Sequence, residues 1–411
     1  MQDFYELVIE IACISIIKTS FQNLQIFTCQ KTCDWYIIGA ETAHMYRAMK
    51  QGVSMAFKIL VINPGSTSTK IGVFEDLKEL FTENVAHSAE EIGQFPSIAS
   101  QYEFREKHIR EALEKRGFDL KSLSCIVGRG GLLKPIPGGV YAVNEAMKEE
   151  LLEARNGEHA SNLGALIADR LAKELGIPSF IADPVVVDEL DDVARIYGHK
   201  LFKKRSIFHA LNQKAVCRRW CKEHGKNYTD VILIVAHMGG GVSVGLHKNG
   251  RVVDVNNALN GEGPFSPERS GTLPAGDLAK LCFSGKYTEK EVLKMITGQG
   301  GMVSLFNTND MRVLEKAAQE EKNPEALLIY NAFIYNVGKA IGALAAAARG
   351  KVDGIILTGG IAYGKPVQEE LTAMTGWIAP VTVYPGEGEL EALALAGYRV
   401  LTKEAVPQEY K

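Results

Sequence analysis

Apolar residues in this chain gather in short unbroken runs, each closed by glycine, proline or a cluster of hydroxyls. Phe57 to Ile62 is the first clear run, of strand length and rich in β-branched residues. Asn63-Pro64-Gly65 ends it, because proline lacks an N–H and glycine permits positive φ. Ser66, Thr67, Ser68 and Thr69 crowd into a tight turn, and Ile71, Val73 and Phe74 resume a strand. A third strand is expected near Leu80–His87. Charge and apolar spacing predict a helix over Ile98–Arg116, stopped by Gly117. Cys125–Val127 reads as a short strand running into Gly128-Arg129-Gly130-Gly131. Helices follow at about Asn144–Arg155 and Ser161–Leu175, the second ended by Gly176. Ile177–Ile181 is another strand, closing on Ala182-Asp183-Pro184.

The pattern then returns. Val231–Ala236 is an apolar strand, His237-Met-Gly-Gly-Gly241 a turn and Val242–Leu246 a strand. Lys248-Asn249-Gly250 is a hairpin turn and Arg251–Val255 a third strand. A further strand, Gly354–Leu357, meets Thr358-Gly359-Gly360-Ile361-Ala362-Tyr363-Gly364 and is preceded by a helix-like segment, Val337–Arg349. Three strands followed by alternating helix and strand argue for α/β architecture, and the recurrence argues for two domains of similar plan. Each presents a glycine or hydroxyl turn at a strand end, where ligands of α/β sheets bind, so a cleft between the domains is expected.

The length of 411 residues allows two ordinary domains. With 46% hydrophobic and 23% charged residues the composition is that of a soluble globular protein. A net charge of −3 leaves no basic footprint for nucleic acid. The seven cysteines, Cys13, Cys29, Cys33, Cys125, Cys217, Cys221 and Cys282, are odd in number and scattered, which fits a reduced, cytoplasmic protein. Cys217 and Cys221 stand four apart without a second pair at zinc spacing, and read as one helix face. Residues 1–54 do not resemble the rest. Leu7–Ile17 is apolar but too short to span a membrane, and it lacks the features of a signal peptide. The segment 1–54 is expected to be an extension outside the fold, with Met55 the natural start. The domains are then expected at 55–195, joined by 385–411, and at 196–384.

The turn Asn63–Lys70 offers backbone N–H groups, hydroxyls and one ammonium, a chemistry that suits phosphate. A polar hairpin turn is the alternative for such a turn standing alone. The order of the motifs adds to this. Asn63-Pro-Gly-Ser-Thr-Ser-Thr-Lys70 resembles the opening signature of the acetate/butyrate kinases, and His237-Met-Gly-Gly-Gly241 their second phosphate loop. Asp310-Met311-Arg312 and Gly360-Ile-Ala-Tyr-Gly364 resemble their adenosine-site segments. The likeness runs from about Phe57 to the C-terminus. Pro64 and Thr69, together with Gly128–Gly139 and Ser266–Pro274, are closer to the butyrate kinases than to the acetate kinases.

The resemblance implies the acetate and sugar kinase/actin superfamily: α/β, two duplicated actin-like, ribonuclease H-like domains with a nucleotide cleft between them. It implies ATP plus a short carboxylate giving ADP and an acyl phosphate, with Mg2+, and association as a homo-oligomer. No nucleic-acid or membrane partner is expected. By the same resemblance Arg129 clamps the substrate carboxylate, Arg269 stabilises the transferring phosphoryl and His209 donates to its oxygens. Asp183 orients magnesium-bound water or the arginines, or is simply a strand-terminating Asp before proline. Asn63 and either Glu387 or Glu389 are candidates for the magnesium shell. Ser66, Ser68, Lys70, His237, Gly239, Gly240, Gly241, Asp310, Arg312, Gly359 and Gly360 are expected around the nucleotide. Leu132, Leu133, Ile136 and Pro137 are candidate walls for the acyl chain, with loop packing as their other reading. The rivals are an acetate, propionate or branched-chain carboxylate kinase of the same family, a sugar kinase using Asp183 as general base, and a non-enzymatic actin-like switch.

Overall fold

The computed structural model describes residues 56–411 and, before them, only an antiparallel pair of strands, Leu24–Phe27 with Tyr36–Gly39. The expected extension and the start at Met55 otherwise lie outside the described residues.

From Phe57 onward two sheets share one plan. In the first, β1 (Lys58–Pro64), β2 (Ser68–Glu75) and β3 (Lys78–Ala86) form an antiparallel meander. Next to β1 lie β4 (Cys125–Arg129) and then β6 (Ser179–Ala182), both parallel to it. Two short strands, β5 (Val140–Ala142) and β12 (Gln408–Glu409), extend that edge. In the second sheet β7 (Ile232–Met238), β8 (Val242–Lys248) and β9 (Arg251–Val255) repeat the meander. Two parallel strands, β10 (Gly354–Gly359) and β11 (Val381–Pro385), again follow the first strand of the meander. The duplication expected from the recurring pattern is therefore a duplication of strand order and direction.

The apolar runs are unbroken because both faces of each sheet are covered. Leu60, Ile62, Ile71 and Val73 point to one face of the first sheet. They pack there with Ile109 and Leu113 of α1 (Tyr102–Lys115) and Leu163 and Ile167 of α2 (Asn162–Leu175). Ile59, Val61, Phe74 and Val127 point to the other face, against Leu393 and Ala396 of the C-terminal helix Glu389–Leu401. In the second sheet Leu233 and Val235 meet Val216, Cys217 and Trp220 of α3 (Ala210–Glu223). Cys217 and Cys221 thus lie on a buried helix face, and the described cysteines are all free.

On the opposite side Ile234, Ala236 and Met238 pack against Phe333, Val337 and Ile341 of α5 (Pro324–Ala347), which α4 (Met311–Gln319) precedes. The helix α5 has the length and hydropathy of a membrane span, but its apolar face is spent on this core. The C-terminal helix, α6 (Glu389–Leu401), follows β11 of the second sheet and covers the first, so its start spans the two halves.

Candidate active site

The sequence-predicted polar residues stand where the strands end. Asn63, Arg129 and Asp183 are at the carboxyl ends of the parallel strands β1, β4 and β6, and His237 is at the end of β7. Arg129, Asp183, His209, His237 and Glu389 line one cleft with Pro184, Val185 and the first turn of α3. Arg129 reaches it because α2 lies tight against β4: a Cβ on Gly128 would overlap the Gly164 carbonyl.

Its Nη1 donates to Asn63 Oδ1 (3.1 Å) and to the Glu389 carboxylate (2.9 and 3.0 Å). Asn63 Nδ2 donates to Glu389 Oε2 at 2.6 Å and completes a closed triangle. One nitrogen of the guanidinium is thereby tethered, while Nη2 and Nε have no partner among the described residues.

His209 precedes α3 as its N-cap, and its ring stacks on that of His237, with centroids 3.8 Å apart and planes at 9°. Burial drives the pKa of His209 well below the ordinary value, and His237, Arg269 and Arg129 add to the shift. His237 is lowered to about 3, by burial first and by Arg129 second. Both rings are therefore neutral at pH 7. His237 Nδ1 lies 2.7 Å from Asn212 Oδ1, and Asn212 Nδ2 donates to the Glu387 carbonyl.

Arg269 lies over the glycine turn, where a Cβ on Gly241 would overlap its guanidinium. It donates to the Ala258 carbonyl at 2.7 Å, and burial lowers its pKa. In the same turn Gly239 N–H donates to Gly241 O, and the Gly240 carbonyl accepts from Ser266 Oγ. The N-terminus of α3 opens on the cleft lined by Arg129 and His237 and adds the positive end of a helix dipole.

Asp183 is buried at φ +37°, a strained value for a non-glycine residue. Its Oδ1 accepts from Gly139 N (2.7 Å) and its Oδ2 from Arg218 (3.1 Å). The arginine it holds is Arg218, and neither Arg129 nor Arg269 is among its partners in the described residues. Glu387 and Glu389 also separate. Glu389 is held by Asn63 and Arg129, whereas the Glu387 carboxylate has no hydrogen-bond partner among the described residues. Shielding from water and the charge of Glu389 raise the pKa of Glu387, with Lys70 and Arg129 opposing. No group of three metal-ligating side chains converges among the described residues.

The hydroxyl turn has a support that no motif announced. Arg105 of α1 is 1% exposed and sits beneath the turn. It donates to the carbonyls of Gly65 (2.6 Å), Ser66 (3.0 Å) and Ser68 (3.3 Å), and Gln101 braces it. Drawing these carbonyls inward leaves Ser66 and Lys70 exposed and Ser68 half-exposed at the surface.

Asp310 and Arg312 bond to each other at the start of α4, outside the cleft that holds His209. That helix adjoins the turn after Gly359 and Gly360: Met311 and Ile361 share one core, and Glu315 lies against Gly364. The expected acyl-chain walls are not where the sequence put them. Leu133 and Ile136 are buried in the core of the first sheet, Leu132 packs against that core, and Pro137 is exposed. Pro184, Val185, Ala210 and Leu211 are the apolar groups beside Arg129.

The sequence model of the acetokinase family matches residues 190–373. The chain is 57% identical over 357 residues to a probable butyrate kinase of Clostridium botulinum (strain Alaska E43 / Type E3), covering 87% of this chain and 100% of that protein. To butyrate kinase 1 of Clostridium acetobutylicum it is 55% identical over 356 residues, covering 86% and 100%. Acetate kinase of Porphyromonas gingivalis superposes with a TM-score of 0.69 at 19% identity, covering 84% of this chain and 100% of that one. A propionate kinase of Francisella tularensis gives 0.63 at 17%, covering 83% and 98%. These two likenesses establish the fold. Since more than half of the aligned residues match butyrate kinases along their whole length, the chain belongs to the acetokinase family.

Proposed function

We propose that this protein transfers the γ-phosphoryl group of ATP to a short-chain carboxylate, butyrate in preference to acetate, giving butanoyl phosphate and ADP reversibly. The observation that carries this reading is the free edge of Arg129, tied through Nη1 alone, beside His209 and the N-terminus of α3. A guanidinium edge offers a carboxylate two parallel N–H bonds. The acceptor is already ionised at neutral pH, so no general base is needed. A sugar kinase would need one, and Asp183 has both oxygens engaged by Gly139 and Arg218.

In the proposed reaction a carboxylate oxygen held by Arg129 forms a bond to the γ-phosphorus as the bond from phosphorus to the ADP oxygen breaks. The displaced charge stays on ADP. Arg269 and His209 bear on the phosphoryl oxygens, whose charge is spread in a loose transition state. The turns Ser66–Lys70 and His237–Gly241 hold the nucleotide phosphates. Asp310, Arg312, Gly359 and Gly360 hold the adenosine end.

Glu387, without a partner among the described residues, suits a hydrated magnesium, which takes few protein ligands, and the charge of Glu389, itself held by Asn63, acts on it. When bound, the ion supplies charge neutralisation between the phosphates. A cytoplasmic location and self-association complete the proposal. The second is supported by the exposed apolar side chains Val193, Ile196, Leu201 and Phe202 within one short stretch. Trapping the product with hydroxylamine tests the reaction. Butyrate, ATP and Mg2+ are expected to yield butyrohydroxamate and an equal amount of ADP, and ADP without hydroxamate would refute it.

A further inference from the structure

Behind His209 runs a buried chain of hydrogen bonds with only one internally consistent set of proton positions. Gln213 lies in the first turn of α3, four residues after the N-cap His209, and its backbone N–H donates to the His209 carbonyl. Ser243, Gly245 and His247 alternate onto one face of β8. Gly245 is the gap that admits Gln213, since a Cβ there would overlap Gln213 Oε1. Gln213, Ser243 and His247 are each 0% exposed, so every polar atom needs a partner within the protein.

Gln213 Nε2 lies 3.0 Å from the Ser243 carbonyl, which can only accept, so the amide orientation is fixed. Its Oε1 then faces His247 Nε2 at 2.9 Å, and that nitrogen must carry a proton. Burial, with Lys214 and Arg218 nearby, keeps His247 neutral. Its Nδ1 is therefore a lone pair, and it accepts from the Tyr228 hydroxyl at 2.7 Å. The second N–H of Gln213 donates to Ser243 Oγ at 2.8 Å, and the His209 backbone N–H approaches the same oxygen at 3.5 Å. The Ser243 hydroxyl proton is left with one acceptor in reach, His209 Nδ1 at 2.8 Å. His209 is neutral, so its own proton sits on Nε2, which has no partner among the described residues and belongs to a ring lining the cleft.

We infer that Ser243, Gln213, His247 and Tyr228 are positioning residues that lock His209 in the Nε2–H tautomer, so that a neutral imidazole presents a hydrogen-bond donor to the transferring phosphoryl group. The inference rests on the reading of His209 as that donor. The alternative tautomer would turn a lone pair toward an anion, and the lock removes it from the population. It also withholds the lone pair that a nucleophilic nitrogen would need at Nε2. The sequence marks of the device are His-x3-Gln at the start of α3 and Ser-x-Gly-x-His along β8.

Two measurements test it. Nitrogen-15 NMR of protein labelled in the histidine rings, with His209 assigned by its loss in His209→Asn, reads which nitrogen is protonated at pH 7. A proton on Nε2 and a lone pair on Nδ1 are expected, and a proton on Nδ1 would overturn the inference. Ser243→Ala is expected to lower kcat by about ten-fold or more, short of the ~10²–10³-fold that loss of a transition-state donor costs. KM for ATP and for butyrate should stay within about two-fold in that variant, because the lock acts on a contact made in the transition state. An unchanged kcat in Ser243→Ala would overturn the positioning role. The kcat of His209→Asn separates the two readings: full turnover there refutes the donor role of His209 itself, while the protonation site is still decided by the NMR.

Discussion

Arg269 and Arg129 carry the same charge, but their surroundings give them different parts. Arg269 has no carboxylate partner among the described residues and lies over the glycine turn, and in the proposed reaction it meets charge that develops on the phosphoryl group. Arg269→Ala is expected to lower kcat by ~10²–10³-fold with little change in KM for ATP. Steady-state kinetics decides this, and normal turnover would remove the residue from the site. In the proposed reaction Arg129 faces a charge present in substrate and transition state alike. Arg129→Ala should therefore chiefly raise KM for butyrate. An unchanged KM would leave Arg129 only its structural bonds to Asn63 and Glu389.

The stacked histidines set a pH dependence of stability. A histidine in the unfolded chain takes a proton near 6.5, whereas His237 in the fold takes one only at about 3. Between these values the unfolded state binds more protons, so stability falls as pH is lowered through that window, by about 1.4 kcal/mol per pH unit. At pH 5 this amounts to about 2 kcal/mol from His237 alone, measurable by urea unfolding at pH 7 and pH 5. A flat profile would contradict the buried neutral pair. At this scale the residues that meet at the cleft were legible where they sit in a motif, as with Asn63, Arg129, His209 and His237. Arg105, Arg218 and Ser243 act through burial and contacts far along the chain, and nothing local to them in sequence reports either.

Among the elements, the hydroxyl turn depends on a helix that begins more than thirty residues after it. Arg105 of α1 is a buried cation with three turn carbonyls around it. Hydrogen bonds to a charged group contribute about 1.5–3 kcal/mol each, and 1.4 kcal/mol is a factor of ten. Arg105→Met is expected to raise KM for ATP by at least about ten-fold and to lower the melting temperature, with Arg105→Lys intermediate. Unaltered ATP kinetics in the methionine variant would show that the turn keeps its shape unaided.

The spacing over Ile98–Arg116 correctly gave a helix, but it could not say that one arginine of a charged helix points inward. The central strands were readable because both of their faces are apolar. Val140–Ala142 and Val381–Pro385 were missed, the first for its three-residue length and the second because it is an edge strand between prolines. The helices between residues 275 and 319 were missed as well. They are short, and Ala275–Cys282 buries no residue, so the apolar period that marks a core-facing helix is weak there.

Across the whole molecule, the meander is repeated with a strand-end turn in each sheet, and α6 ties the far half of the chain back to the first sheet. Both halves line the cleft, with Pro184 and Val185 after β6 and Ala210 and Leu211 at the start of α3, and the proposed acceptor's acyl chain would lie there. Two methylenes buried there, at ~0.8 kcal/mol each, favour butyrate over acetate by roughly ten-fold in kcat/KM. Equal specificity constants would mean a pocket of acetate size and leave the mechanism standing.

The mechanism itself is tested most directly by the fate of the acceptor oxygen. Butyrate carrying oxygen-18 in its carboxylate is incubated with ATP and Mg2+, and the product is read by phosphorus NMR. One oxygen-18 bonded to the phosphorus of butanoyl phosphate, with ADP formed in equal amount, is the predicted result. Butanoyl phosphate whose phosphorus carries no oxygen-18, or AMP in place of ADP, would contradict direct attack of the carboxylate on the γ-phosphorus.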